Sequence, residues 1–162
     1  MQQLEGDLNM YQSIESISDS ELREEYVKRF TRKTGARLGS ARESADHLRA
    51  FLSNHPQDQE HFVVVFLDSQ LQIIETEVIS SGSLASAVVF PREIIKRLLA
   101  LGAGAIIVGH NHPSGSTSPS SSDRALTKKL STALESIDAQ ILDHLVLGSG
   151  DNFFSFSDQG LL

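Results

Sequence analysis

The chain contains no cysteine. That absence excludes disulfides, thiolate zinc sites, cysteine-ligated iron–sulfur clusters and a cysteine nucleophile together, so any bound metal must use His, Asp or Glu. Long apolar runs are also missing. The 40% hydrophobic content is dispersed in short stretches, too interrupted for the ~20 apolar residues that span a bilayer. Residues 1–7 have neither the basic start nor the apolar stretch of a secretory signal, so a cytoplasmic location without membrane attachment is the expectation. Positive charge is in deficit as well: the formal net charge of −7 disfavours general nucleic-acid binding, which relies on Lys and Arg against phosphates. What remains, in 162 residues, suits one globular domain with a modest extension and a single active site.

Residues 1–17 are polar and aperiodic and read as a flexible arm. Leu22, Tyr26 and Phe30 then recur every four residues, with Glu21, Glu24 and Glu25 ahead of Lys28, Arg29, Arg32 and Lys33. This pattern predicts an amphipathic helix capped near Ser18 or Asp19. Its basic end, continuing to Arg37, reads first as a solvated helix terminus and second as a nucleic-acid contact. Gly35 and Gly39 break the pattern before Ala45, Leu48, Ala50, Phe51 and Leu52 suggest another helix. The unbroken apolar run at 62–67 predicts a central buried strand, paired through a hairpin with a half-exposed strand over 71–79 that residues 80–83 close.

Pro91 suits a helix start, with Ile94, Ile95, Leu98 and Leu99 as its apolar face and Gly102 and Gly104 at its end. Residues 105–109 form another apolar strand leading into His110. A Ser/Gly/Thr/Pro loop follows, and Pro119 introduces a helix with Ala125, Leu126, Leu130, Ala133, Leu134 and Ile137 as its apolar positions. Strands at 140–147 and 153–156 flank a turn over 148–152. No internal repeat is evident.

His110 and His112 are two residues apart on an extended segment, and strand side chains alternate, so both project to one side. Pro113 and Gly115 bend the chain back toward a helix whose first turns carry Asp123. Three N/O ligands with an open position describe catalytic zinc, whereas structural zinc usually has four protein ligands. Catalytic zinc lowers the pKa of bound water to about 7, and a carboxylate must then move the proton. Glu60, Glu75 and Glu77 are candidates that spacing alone does not separate. Each residue also has an ordinary reading. A lone histidine is commonly just hydrogen-bonded, Ser120 and Asp123 resemble a helix capping box, and Glu60 suits a solvated strand edge. His144, beside Asp143, reads first as a hydrogen-bonded core histidine, with a partner behind the ligands or a second metal site as alternatives. His47, His55 and His61 have no assignable partners.

The run His110-Asn111-His112-Pro113, then six residues, then Ser120-x-x-Asp123 resembles the JAMM metalloprotease signature in its RadC-like form. Phe90-Pro91-Arg92-Glu93, Asp143-His144 and the ending from Ser155-Phe156 to Gly160-Leu161-Leu162 resemble RadC sequences as well. The resemblance implies an α/β (α+β) fold of the JAB/MPN, cytidine-deaminase-like type, with a curved mixed β-sheet flanked by helices. It implies Zn2+ held by His110, His112 and Asp123. Glu60-His61-Phe62 matches the family's Glu-x-Phe, which makes Glu60 the expected general base, and Ser120 matches the serine expected to steady the oxyanion. The implied activity is hydrolysis of peptide or isopeptide bonds in an unidentified peptide or protein substrate. The expected organisation is an arm and helix over 1–40 and the RadC-like domain over 41–162, the family's helix-hairpin-helix-like N-terminal region being truncated or replaced. The alternative from another class is a DNA repair or recombination accessory module with a non-catalytic metal and a weak or indirect nucleic-acid association. No motif names an oligomeric state.

Overall fold

A strand buried on both faces needs apolar side chains at every position, and β1 (Glu60–Leu67) meets that requirement from its third residue onward. In the computed structural model, which describes residues 16–82 and 88–162, β1 is flanked by β2 (Ile73–Gly82) and β3 (Ala105–Asn111). β4 (Gln140–Leu147) and β5 (Phe153–Ser155) complete a mixed sheet in the order β2-β1-β3-β4-β5. All neighbours are antiparallel except β3 and β4, which run parallel. The arm expected over 1–17 falls almost wholly outside the described residues, as does Ser83.

Alternation along β1 divides the core in two. Phe62, Val64 and Phe66 pack with Ile94 and Leu98 of α3 (Pro91–Leu101) and Leu130 and Leu134 of α4 (Ser121–Glu135). Val63, Val65 and Leu67 pack on the other face with Ala45, Leu48 and Leu52 of α2 (Ala41–Leu52). Full burial of each such side chain stabilises by ~1.5–3 kcal/mol, so neither face could be left in water. The result is the expected mixed α/β architecture, a sheet with helices on both sides.

Helix starts follow the capping signals. α1 (Asp19–Phe30) has Ser18 as its N-cap, with a reciprocal bond from the Ser18 amide to the Glu21 carboxylate of 2.8 Å. Ser40 caps α2, Pro91 opens α3, and Gly102 ends α3 in the left-handed conformation at φ 64°. Two expected apolar faces are narrower than their periodicity suggested. α1 buries no residue fully and leaves Leu22 46% exposed, and Leu99 of α3 is 61% exposed. Helical spacing specifies which residues share a face, not whether a partner covers it. Residues 80–82 do not close the hairpin as expected but continue β2, pairing with Phe62, His61 and Glu60. In β4 the ladder steps from Ile106↔Ile141 to Ile107↔Asp143, so one extra residue re-phases the strand and puts His144 beside Val108.

His47, which had no predicted partner, ties α2 to β2 and to the segment that follows α1. Its Nδ1 accepts from the Arg32 amide at 2.8 Å, so Nε2 carries the hydrogen and donates to Thr76 Oγ1 at 2.9 Å. Burial, and secondarily the charge of Arg32, lowers its pKa to about 4. The unfolded chain therefore takes a proton below pH ~6.5 that the folded protein refuses until about 4. Stability is expected to be level above pH ~6.5 and to fall by on the order of 3 kcal/mol from this group as pH drops to about 4. Urea unfolding across that range should show a shallower pH slope for His47→Asn than for wild type; equal slopes would refute the assignment.

Candidate metal centre

Parity carries from the core to the site. Ile106 and Val108 of β3 face α3 and α4, so His110, next in the same phase, points under the N-terminal turns of α4. His110 pairs with Phe62 on one side and Val146 on the other and is fully buried. His112 lies one step beyond the strand end, where its amide still bonds to Leu147 O at 3.0 Å and its side chain is half-buried. The chain then reverses through Gly115 at φ +81°, where an added Cβ would collide with the Ser149 hydroxyl. That turn brings the Ser116 carbonyl to His112 Nδ1 at 2.9 Å. A carbonyl only accepts, so His112 carries its hydrogen on Nδ1 and its Nε2 is a bare lone pair.

Asp123 completes the cluster. Its Oδ2 stands 3.4 Å from His110 Nε2 and 3.6 Å from His112 Nε2, and the two Nε2 atoms are 3.0 Å apart. Donors held ~2.0–2.1 Å from a tetrahedral ion stand about 3.3 Å from one another, so this triangle has the size a metal ion requires. Among the described residues Asp123 pairs with no Lys or Arg. The three residues can hold a metal ion. Burial alone would raise the Asp123 carboxyl, but the neighbouring His110 imidazole and the bond from the Ser120 amide outweigh it and hold the carboxyl well below the usual range. An acid that stays ionised is the form a cation needs.

The capping-box reading of Ser120 and Asp123 is realised together with this arrangement. Ser120 Oγ accepts from the Asp123 amide at 3.1 Å, and the Ser120 amide donates to Asp123 Oδ2 at 2.7 Å. The box fixes the carboxylate that faces the histidines. Ser120 and Glu60 both line a cleft of about 660 Å³ together with His112 and Asp123. Glu75 and Glu77 are instead engaged by Arg97, at 3.0 and 2.6 Å, and lie along β2 opposite Phe66 and Val64. Glu60 is therefore the glutamate, of the three candidates, that shares the cleft.

Asn111 contributes a contact that its sequence context did not reveal. Alternation turns it to the other face of β3, where Oδ1 accepts from the His61 amide at 2.8 Å and Nδ2 donates to Gln59 O at 2.8 Å. These bonds bracket Glu60 and fix the start of β1 beside the histidines. The only available signal was its position between the two histidines. His61 also finds partners, accepting from Ser81 Oγ and donating to Pro56 O, both at 2.7 Å. His55 lies edge-on to His61 with ring centroids 5.3 Å apart. His144 satisfies two of its readings at once: it is a fully buried, hydrogen-bonded core residue, and its Nε2 lies 2.9 Å from His110 Nδ1. Burial first, then the neighbouring histidines, pushes its pKa down to about 3. Asp143 beside it is structural; it accepts from Ser155 Oγ at 2.6 Å and from the Ser157 amide at 3.0 Å, anchoring the C-terminal segment.

The chain matches the family model described as a RadC-like JAB domain over residues 38–161. It is 42% identical over 138 residues to a UPF0758 protein of Vibrio vulnificus (strain YJ016), covering 84% of this chain and 61% of that protein. It is 47% identical over 115 residues to a UPF0758 protein of Burkholderia thailandensis, covering 71% of this chain and 43% of the relative. A Pseudomonas fluorescens UPF0758 protein is 46% identical over 114 residues, 70% of this chain and 50% of its own length. The chain thus spans about three-fifths or less of these relatives. No helix among its described residues is long and apolar enough to cross a membrane. With two histidines and an aspartate converging at the end of β3 and a family match across most of its length, this chain belongs to the RadC-like JAB domain family.

Proposed function

We propose that this protein is a zinc-dependent hydrolase of peptide or isopeptide bonds, with His110, His112 and Asp123 as the metal ligands. The observation that carries the reading is the triangle of donors 3.0 to 3.6 Å apart at the wall of a cleft that also holds a carboxylate and a serine. Zinc bound there would supply Lewis acidity and water that ionises near neutrality. The chain's own groups supply the rest. Glu60 takes a proton from the attacking water and delivers it to the leaving nitrogen as the C–N bond breaks, which yields a carboxylic acid and an amine. Ser120 lines the same cleft at the head of α4, and its hydroxyl would donate to the developing oxyanion.

The cleft favours a peptide over a nucleic acid. Its charged lining residues among those described are Glu60 and Asp123, both acidic, and neither neutralises a phosphate. Serines at every second position from Ser114 to Ser122 form one wall, and Phe62, Val89 and Leu126 contribute to another. Serine hydroxyls can donate hydrogen bonds to the carbonyls of a peptide substrate. Ser116 Oγ accepts from the Ser118 amide at 3.2 Å, which leaves its hydroxyl hydrogen for such a carbonyl.

Metal analysis of protein purified without chelators is expected to give about one zinc per chain, lost in the His110→Ala, His112→Ala double variant; wild-type protein that stays metal-free with added zinc refutes the reading. Glu60→Gln is expected to retain zinc and to lose ~100-fold or more in kcat on a quenched-fluorescent peptide library. Unchanged turnover in that variant would remove Glu60 from the proton path.

A further inference from the structure

Behind the three donors lies a run of buried hydrogen bonds with no role in the chemistry above. Thr127 Oγ1 donates to the Asp123 carbonyl at 2.7 Å, His144 Nδ1 lies 2.6 Å from Thr127 Oγ1, and His144 Nε2 lies 2.9 Å from His110 Nδ1. We propose that Thr127 and His144 are positioning residues that set the tautomer of His110, keeping its hydrogen on Nδ1 so that Nε2 offers a lone pair to a metal ion. The purpose rests on the zinc reading; the hydrogen-bond order does not.

The order follows from what each group can give. The Asp123 carbonyl only accepts, and a threonine hydroxyl has one hydrogen. With that hydrogen directed to Asp123, Thr127 Oγ1 is an acceptor for His144 Nδ1–H. His144 Nε2 is then bare and accepts from His110 Nδ1–H, which leaves His110 Nε2 bare in turn. The reverse order would place a hydrogen on His110 Nε2, aimed at His112 Nε2 and Asp123 Oδ2, where it would block a metal ion.

Asp123 closes the circuit at both ends, its carbonyl receiving the last hydrogen while its carboxylate faces His110 Nε2. Water has no access to compete: His110 and His144 are fully buried, Thr127 is 2% exposed, and His144 stacks on Phe156 with centroids 4.8 Å apart. Metal-ligating histidines commonly donate to a carboxylate or carbonyl. Here a second imidazole takes that place, so His110 is oriented without adding a negative charge behind it.

Two measurements decide the point. In long-range 1H–15N spectra of the metal-free wild type, His110 and His144 are both expected as Nδ1–H tautomers, and in Thr127→Val the His144 hydrogen is expected to move to Nε2. In competition with a chromophoric chelator, Thr127→Val is expected to bind Zn2+ ~10–100-fold more weakly than wild type, and Thr127→Ser to bind it as wild type does. An Nε2–H tautomer at His144 in the wild type, or equal zinc affinity in a folded Thr127→Val, overturns the proposal. A wild type that binds no zinc overturns the parent reading instead, and the tautomer spectra then still test the hydrogen-bond order.

Discussion

Two imidazole nitrogens and a carboxylate oxygen held 3.0 to 3.6 Å apart constitute the constraint around which this structure is organised. Facing donors repel unless a cation or a proton lies between them, so the surrounding fold must hold them in place. It does so with rigid elements. His110 is part of the β3 ladder between two other strands, and Asp123 is locked by a capping box at the head of α4. His112 is set by a tight turn at Gly115 and by its bond to Ser116 O. Sites carried on strands and helix caps hold their geometry more closely than sites on loops alone.

The two-sided core makes this arrangement possible. Because β1 and β3 are covered on both faces, the even residues of β3 look toward α4 and the odd ones toward α2. His110 therefore meets Asp123, while Asn111 turns the other way and clamps the entrance of β1 at Gln59 and His61. One short motif thus serves both faces of the sheet: its histidines supply donors, and its asparagine fixes the strand end that bears Glu60.

Much of this was legible in the sequence because it depends on local periodicity. The apolar run at 62–67 read as a strand buried on both sides, and the i, i+2 spacing of His110 and His112 on an extended segment put both on one side of the chain. Ser120 and Asp123 announced a capping box, and both of its hydrogen bonds formed. What was not legible depends on long-range register. The extra residue in β4 that turns His144 toward His110 leaves no mark in residue spacing. Nor could spacing show that Arg97 of α3 would engage Glu75 and Glu77, or that Leu22 and Leu99 would find no cover. These outcomes depend on which element packs against which, information that periodicity does not contain.

The central claim is that the converging donors are metal ligands. Zinc K-edge X-ray absorption on zinc-loaded protein tests it most directly. The expected result is a first shell of N/O donors at about 2.0–2.1 Å with the outer-shell pattern of two imidazoles. A shell lacking imidazole scattering, or one unchanged in the His110→Ala, His112→Ala variant, would contradict it.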